Sequence, residues 1–202
     1  MLKKGSLHII PPASKALTQS RGQQSITFQY NPNLVKRELK PNLVGGQSGG
    51  HSGSIRYGTA PDEVFSLQVE IDALDNLPSK SQNKAAVIDG IYPLLSALEL
   101  LLYPRLSVVK SNQTSLDNGV LQVAPFIAPQ VLLNWGQKRI VPVVMESYSV
   151  EEQMFDQALN PIRATIQISL RAITYDDVRP GNANYESFVS YQRFKENEAG
   201  KI

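Results

Sequence analysis

Polar and apolar residues alternate most cleanly in three stretches of the chain. Ser25-Ile26-Thr27-Phe28-Gln29-Tyr30 has the two-residue period of a strand with one buried face, and Asn31-Pro32 ends it. Phe65, Leu67, Val69 and Ile71 oppose Ser66, Gln68, Glu70 and Asp72, which predicts a second strand. The most regular run sets Ile162, Ala164, Ile166, Ile168 and Leu170 against Arg163, Thr165, Gln167, Ser169 and Arg171. Two further strands are read at Val131-Leu133-Trp135 and at Val141 to Val150, so the second half of the chain is expected to be almost wholly β.

One segment breaks this period. Over about 85–103, Leu94, Leu95, Leu98, Leu101 and Leu102 recur at three- and four-residue spacing, which predicts one principal helix with Pro93 either in its first turn or kinking it. The segment Ser111 to Gly119 reads as a polar loop, and Gly45 to Gly58 as a long mobile glycine-rich loop with little to bury. After Asp176 the alternation dissolves through Arg179-Pro180-Gly181-Asn182 into an aromatic segment with Tyr185, Phe188, Tyr191 and Phe194. These elements predict one domain over 1–175, mainly β with one principal α-helix, folded as a sandwich or barrel, and a C-terminal docking arm over 176–202.

Composition removes several function classes. The 202 residues carry a net charge of +2 with no block of like charge, so no counterion-displacing stripe for nucleic acid is expected. The chain has no cysteine, which excludes disulfides and thiolate chemistry. The most apolar stretch, Ile91 to Tyr103, is shorter than a bilayer span and contains Pro93 and Glu99, so membrane insertion is not expected. The N-terminal residues lack the apolar run of a cleaved signal. His8 and His51 stand in no ligand spacing, and the pairs Glu151-Glu152 and Asp176-Asp177 would point to opposite faces of a strand. The glycine-rich loop lacks the Lys-Ser/Thr ending of a phosphate-binding loop. No catalytic residue, metal ligand or cofactor site is therefore expected, and the chain is read as a non-enzyme.

Three segments in order carry a family resemblance: Ile26-Thr27-Phe28-Gln29-Tyr30-Asn31-Pro32, then Pro129 through Trp135-Gly136, then Met154-Phe155 through Asn160-Pro161-Ile162-Arg163-Ala164-Thr165. Over roughly residues 5 to 175 the chain resembles the tube-like proteins of contractile injection systems. The matching positions are Phe28, Asn31, Pro32, Trp135, Gly136, Phe155, Pro161, Arg163 and Ala164, most of them expected to maintain the fold. Members of that family often carry a C-terminal LysM module, which this sequence does not show, so peptidoglycan binding is not implied.

The resemblance implies a tail-tube-like fold, two sheets rolled into a barrel whose neighbours continue the sheet around a hexameric ring. It implies partners in the spike hub, the inner tube subunits and the baseplate, with assembly in the cytoplasm into a phage-tail-like particle. Arg163 and Arg171 are expected at a subunit boundary before the lumen or solvent, and Tyr185, Phe188 and Tyr191 as further interface candidates. Two other readings stay open: the inner tube subunit itself, and a glycan-binding β-sandwich with Trp135 and the tail tyrosines as stacking platforms.

Overall fold

The computed structural model describes residues 3–45, except 11–24, together with 55–74, 89–120, 125 and 128–202. Its strands are β1 (Ser6–Ile10), β2 (Ser25–Thr27), β3 (Val35–Val44), β4 (Arg56–Asp72), β5 (Gln130–Asn134), β6 (Ile140–Phe155) and β7 (Pro161–Ala172). The helices are α1 (Tyr92–Glu99), α2 (Leu106–Asp117) and α3 (Ala183–Ala199). The strands form one antiparallel sheet in the order β2-β1-β5-β6-β7-β4-β3.

The chain is thus mainly β, as its alternation predicts, but its sheet is not closed into a barrel. β2 and β3 are the two ends of the order and do not pair with each other. Long β6 joins two halves of unequal reach. β5 pairs only with Ile140 to Val143, while β7 follows β6 to Phe155. A register shift between Met145 and Ser147 marks the change, and an extra residue at such a point bends and twists the strand.

Period-two patterning decides which face is core. Phe65, Leu67, Val69 and Ile71 on β4 lie opposite Leu170, Ile168, Ile166 and Ala164 on β7, and all eight are buried. Val143 and Met145 of β6, Leu133 and Val131 of β5, and Leu7 of β1 continue this core, which α1 joins through Leu95 and Leu98. The opposite face is polar and runs in cross-strand rows: Ser66, Ser169 and Ser147; then Gln68, Gln167 and Ser149; then Glu70, Thr165 and Glu151. Burying a large apolar side chain contributes about 1.5–3 kcal/mol, so a one-residue slip that exchanged the faces is strongly excluded.

Several sequence expectations are corrected. The helix expected over about 85–103 is α-helical only from Tyr92 to Glu99, with Pro93 in its first turn; residues 85–88 lie outside the described residues. Leu95, Leu98 and Leu101 of the expected stripe are buried, whereas Leu102 is exposed. Ser111 to Gly119 is mostly the second half of helix α2, not a loop, so there is more than one principal helix. Hydroxyls inside that helix bond back to its own carbonyls, Thr114 to Lys110 and Ser115 to Ser111, both at 3.0 Å, which lets polar residues sit in a helix. Of the glycine-rich stretch, 46–54 lie outside the described residues, and from Arg56 the chain is already strand. β3 carries too many polar residues to announce itself by alternation, and β1 is only five residues long. The first predicted strand ends at Thr27, and Phe28 continues it only through a 3.0 Å N–H bond to the Gly5 carbonyl.

The expected arm over 176–202 is mainly helix α3. Asn182 caps it, its side-chain oxygen accepting from Asn184 N–H at 2.9 Å. Phe188 and Tyr191 are buried in the chain's own core, joined edge-on to each other and to Tyr175, so they are not available to a neighbour as expected.

Two of the glycines in left-handed backbone are there for different reasons. At Gly90 (φ +60°) a Cβ would fall 2.3 Å from the Pro161 carbonyl oxygen, the atom that accepts a 3.0 Å bond from Ile91 N–H and seats α1 under β7. At Gly136 (φ +78°) a Cβ would meet nothing within 4 Å. Gly136→Ala is expected to cost about 1 kcal/mol, the conformational penalty alone. Gly90→Ala should cost about 3 kcal/mol or more, because the backbone contact is lost as well. Equilibrium urea unfolding of the two variants checks the difference.

Candidate functional site

The three sequence segments behind the family resemblance converge at one end of β4. Phe28 is buried and lies 6.4 Å, centroid to centroid, from the half-buried Trp135 ring. Both rings close over Gly5, where a Cβ would fall 2.6 Å from Trp135. Asn31 ties the same strand end: its Oδ1 accepts from Gly5 N–H at 2.8 Å and its Nδ2 donates to the Lys3 carbonyl at 2.9 Å. Gln29 then bonds the Asp72 main chain in both directions, at 2.7 and 3.0 Å, as a neighbouring strand would. The Asp72 carboxylate receives Arg163 Nε at 2.9 Å and also Arg163 Nη2.

Burial pushes the Asp72 carboxyl up, but the Arg163 guanidinium and the Leu74 N–H outweigh this and hold it below the ordinary carboxylate range. Gly136 forms the turn after Trp135, Pro161 and Ala164 are buried, and Pro32 borders a groove on the polar face. Phe28, Asn31, Trp135 and Arg163 thus tie strand ends of the chain to one another.

Phe155 differs, because it is half exposed at the tip of the β6–β7 hairpin beside Met154 and Leu159. Asp156 ties this tip, its Oδ1 accepting from the N–H groups of Ala158 and Asn160, both at 2.8 Å. Met154 and Leu159 flank it in left-handed backbone, φ 55° and 65°.

A second cluster had no signal in the sequence reading. Two residues upstream of Phe65 the core-facing position is Glu63, only 1 % exposed. Its carboxylate accepts from the Tyr191 hydroxyl at 2.8 Å and from Lys195 Nζ at 2.6 Å, and Arg37 Nε stands 3.8 Å away. The Lys195 ammonium also lies 4.1 Å from the Tyr191 ring centroid. The cluster therefore fastens α3 across β3 and β4. Continuing the β4 alternation past Phe65 finds Glu63, but its partners are 128 and 132 residues away.

Arg171 and Arg163, the two arginines expected at a boundary, both pair within the chain: Arg171 with Glu146 and Asp177 at 3.2 Å, Arg163 with Asp72. Asp176 and Asp177, read as solvated turn charges, instead shape the turn before α3. Asp176 accepts from Ala60 N–H at 2.6 Å, and Asp177 from Thr174 N–H at 2.8 Å. Tyr185 is half-buried on α3. His8 is half-buried in β1, and His51 lies outside the described residues.

Two strand edges lack a neighbour among the described residues. Among the described residues, β3 pairs only with β4, and Ser147 to Phe155 of β6 pair only with β7. Among the described residues the sub-sheet β6-β7-β4-β3 therefore has an unpaired edge on each side. Its polar face carries a groove of about 790 Å³ floored by Ser66, Gln68, Ser149 and Gln167 and walled by residues 30–34. Exposed Leu100, Tyr103 and Leu106 form an apolar corner between α1 and α2. Among the described residues no group of acidic or histidine side chains is placed to hold a metal, and no helix is long and apolar enough to cross a membrane. Neither a family model nor a curated protein matches this chain.

Two predictions follow from the Glu63 cluster. Lys195→Met leaves a buried carboxylate short of its nearest cation and should cost about 3 kcal/mol, whereas adding Glu63→Leu should recover most of the loss; urea titrations of the single and double variants decide this. Burial and the Glu63 carboxylate push the Tyr191 phenol up to about 12. Burial, with Glu99 and Glu152, does the same to Tyr148, again to about 12. A phenol whose folded value lies above the unfolded 10.0 favours the folded state below pH 10, so stability should fall as pH rises from 10 to about 12. Tyr191→Phe should flatten that fall, measured by chemical unfolding across the range.

Proposed function

We propose that this chain is a structural ring subunit of a contractile injection system, a hexamer joining the spike hub to the inner tube and starting tube assembly. The observation that carries this reading is the pair of edges on sub-sheet β6-β7-β4-β3 that no described strand pairs with. β6 and β3 run antiparallel across those four strands, so placing β3 of one copy beside β6 of the next continues an antiparallel sheet without reversing any subunit. A heterologous contact of this kind closes into a ring when its rotation divides a full turn.

Charge supports the pairing. Along β3, Lys36, Arg37 and Lys40 outnumber Glu38, while Ser147 to Phe155 of β6 carries Glu151 and Glu152 and no cation. Long unpaired edges are a hazard to a solitary chain and an asset to one that assembles. The core face is already covered by the chain's own β5, β1 and helices, which leaves the serine- and glutamine-rich polar face to look into the ring.

The family resemblance of the three motifs supplies the sixfold number and the partners. The inner tube subunit is the second reading, favoured by the self-complementary edges. The glycan-binding reading loses the support of its aromatic platforms, since Trp135 packs on Phe28 and Tyr191 is buried in the core.

Because the chain has no cysteine, paired cysteines report contacts between copies directly. Lys36, Glu38 and Lys40 on β3 and Ser149, Glu151 and Gln153 on β6 all belong to the polar face, so one residue from each set is replaced in a small panel. At least one pair is expected to give, on oxidation, a covalent ladder ending at the hexamer. Monomers throughout the panel at high protein concentration would reject the reading.

A further inference from the structure

The groove on the polar face has a floor of hydrogen-bonding groups that the fold does not use. β7, its middle strand, is paired on both sides from Thr165 to Ser169, so the floor offers side chains and not main chain. Ser66, Gln68, Ser149 and Gln167 are uncharged and make no side-chain hydrogen bond with any described residue. Gln68, Gln167 and Ser149 lie side by side across three strands, a polar row about 10 Å long at the usual strand spacing of about 4.8 Å.

The wall differs from the floor. It presents Tyr30, 40 % exposed, and Leu34, 72 % exposed, so an apolar side rises beside a polar base. Tyr30 and Glu70 also border a second hollow of about 320 Å³ that reaches Gln153 and Arg163. The two hollows share these residues and together run along the strands.

Each class of ligand meets this surface differently. An apolar ligand would bury the floor amides and hydroxyls without partners, which is costly. A polyanion needs uncommitted cations, but Lys36 pairs with Glu38 and Arg163 with Asp72, while Glu70 and Glu151 face the same side. An extended polypeptide is recognised chiefly through main-chain pairing with a strand edge, and this floor is a sheet face. A sugar chain carries hydroxyls that donate and accept, as the floor groups do, and ring faces that are apolar enough to stack on tyrosine.

We infer that this groove binds a neutral oligosaccharide, one ring stacked on Tyr30 and its hydroxyls bonded to Gln68, Gln167 and Ser149. The site uses neither Trp135 nor the tail tyrosines. It is complete on a single chain and does not rest on the ring reading; a closed ring would repeat it around the inner face.

Calorimetric titration of the full chain with cellohexaose, chitohexaose and mannohexaose tests the site. At least one of the three is expected to saturate with Kd at or below about 1 mM. Tyr30→Ala should weaken that binding at least tenfold, whereas Tyr30→Phe, which keeps the ring, should retain most of it. Gln68→Ala combined with Gln167→Ala should also weaken it at least tenfold; both positions are exposed, so the thermal midpoint should stay in place. That floor pair keeps the result independent of any change in the wall. No saturable binding of the three sugars, or binding indifferent to both the wall and the floor variants, would overturn the inference. Saturation by a glycine-serine peptide of similar length and by no sugar would overturn it too and assign the groove to polypeptide. Mass photometry of the same samples separates this site from the ring: monomers that bind sugar reject the ring reading alone, and hexamers that bind none reject this inference alone.

Discussion

Backbone hydrogen bonding at two strand edges is the constraint around which the rest of this molecule is arranged. Every interior strand of the described sheet has neighbours on both sides over part of its length, yet β3 over its ten residues and β6 over its second half offer N–H and C=O groups to one side only. Such groups either face water or find another chain. Much of the internal structure serves to keep these edges straight and in place. The Glu63 cluster clamps α3 over β3 and β4, and the Gln29–Asp72–Arg163 chain fixes the far end of β4.

Those two polar clusters act differently from the core. The apolar rows on β4 and β7 would tolerate some repacking, since they depend on total volume and period. Glu63 depends on partners in correct position, because a buried carboxylate left unpaired costs several kcal/mol. Placing it on β4 just before the pairing with β7 begins, where β4 pairs with β3 alone, ties the direction of that pair to the docking of α3. The polar face, by contrast, is built from hydroxyl and amide side chains in register, with the charges toward its two ends. A face of that kind stays hydrated and offers no apolar grip.

Much of the sheet could be read from residue order because period-two alternation with one buried face is a strong local signal. β4 from Phe65, the second half of β5, most of β6 and all of β7 follow it. β3 could not be read this way: Lys36, Arg37, Glu38 and Lys40 make both of its faces polar, as suits an edge. Helix α3 was hidden because its buried positions, Asn184, Phe188 and Tyr191, mix amide and aromatic groups in place of a leucine stripe. The mutual placement of the motif residues was not legible, since Trp135 meets Gly5 and Arg163 meets Asp72 only through tertiary contacts. The Glu63 cluster shows the same limit, its carboxylate looking like any surface glutamate until α3 is laid across it.

The central claim is that the β3 and β6 edges are completed by other copies of the chain. Amide hydrogen exchange measured across a range of protein concentrations tests it most directly. The account predicts that residues 36–44 and 147–155 exchange quickly when dilute and become as protected as β4 and β7 when concentrated. Rapid exchange along both segments at every concentration, with the core protected throughout, would contradict it.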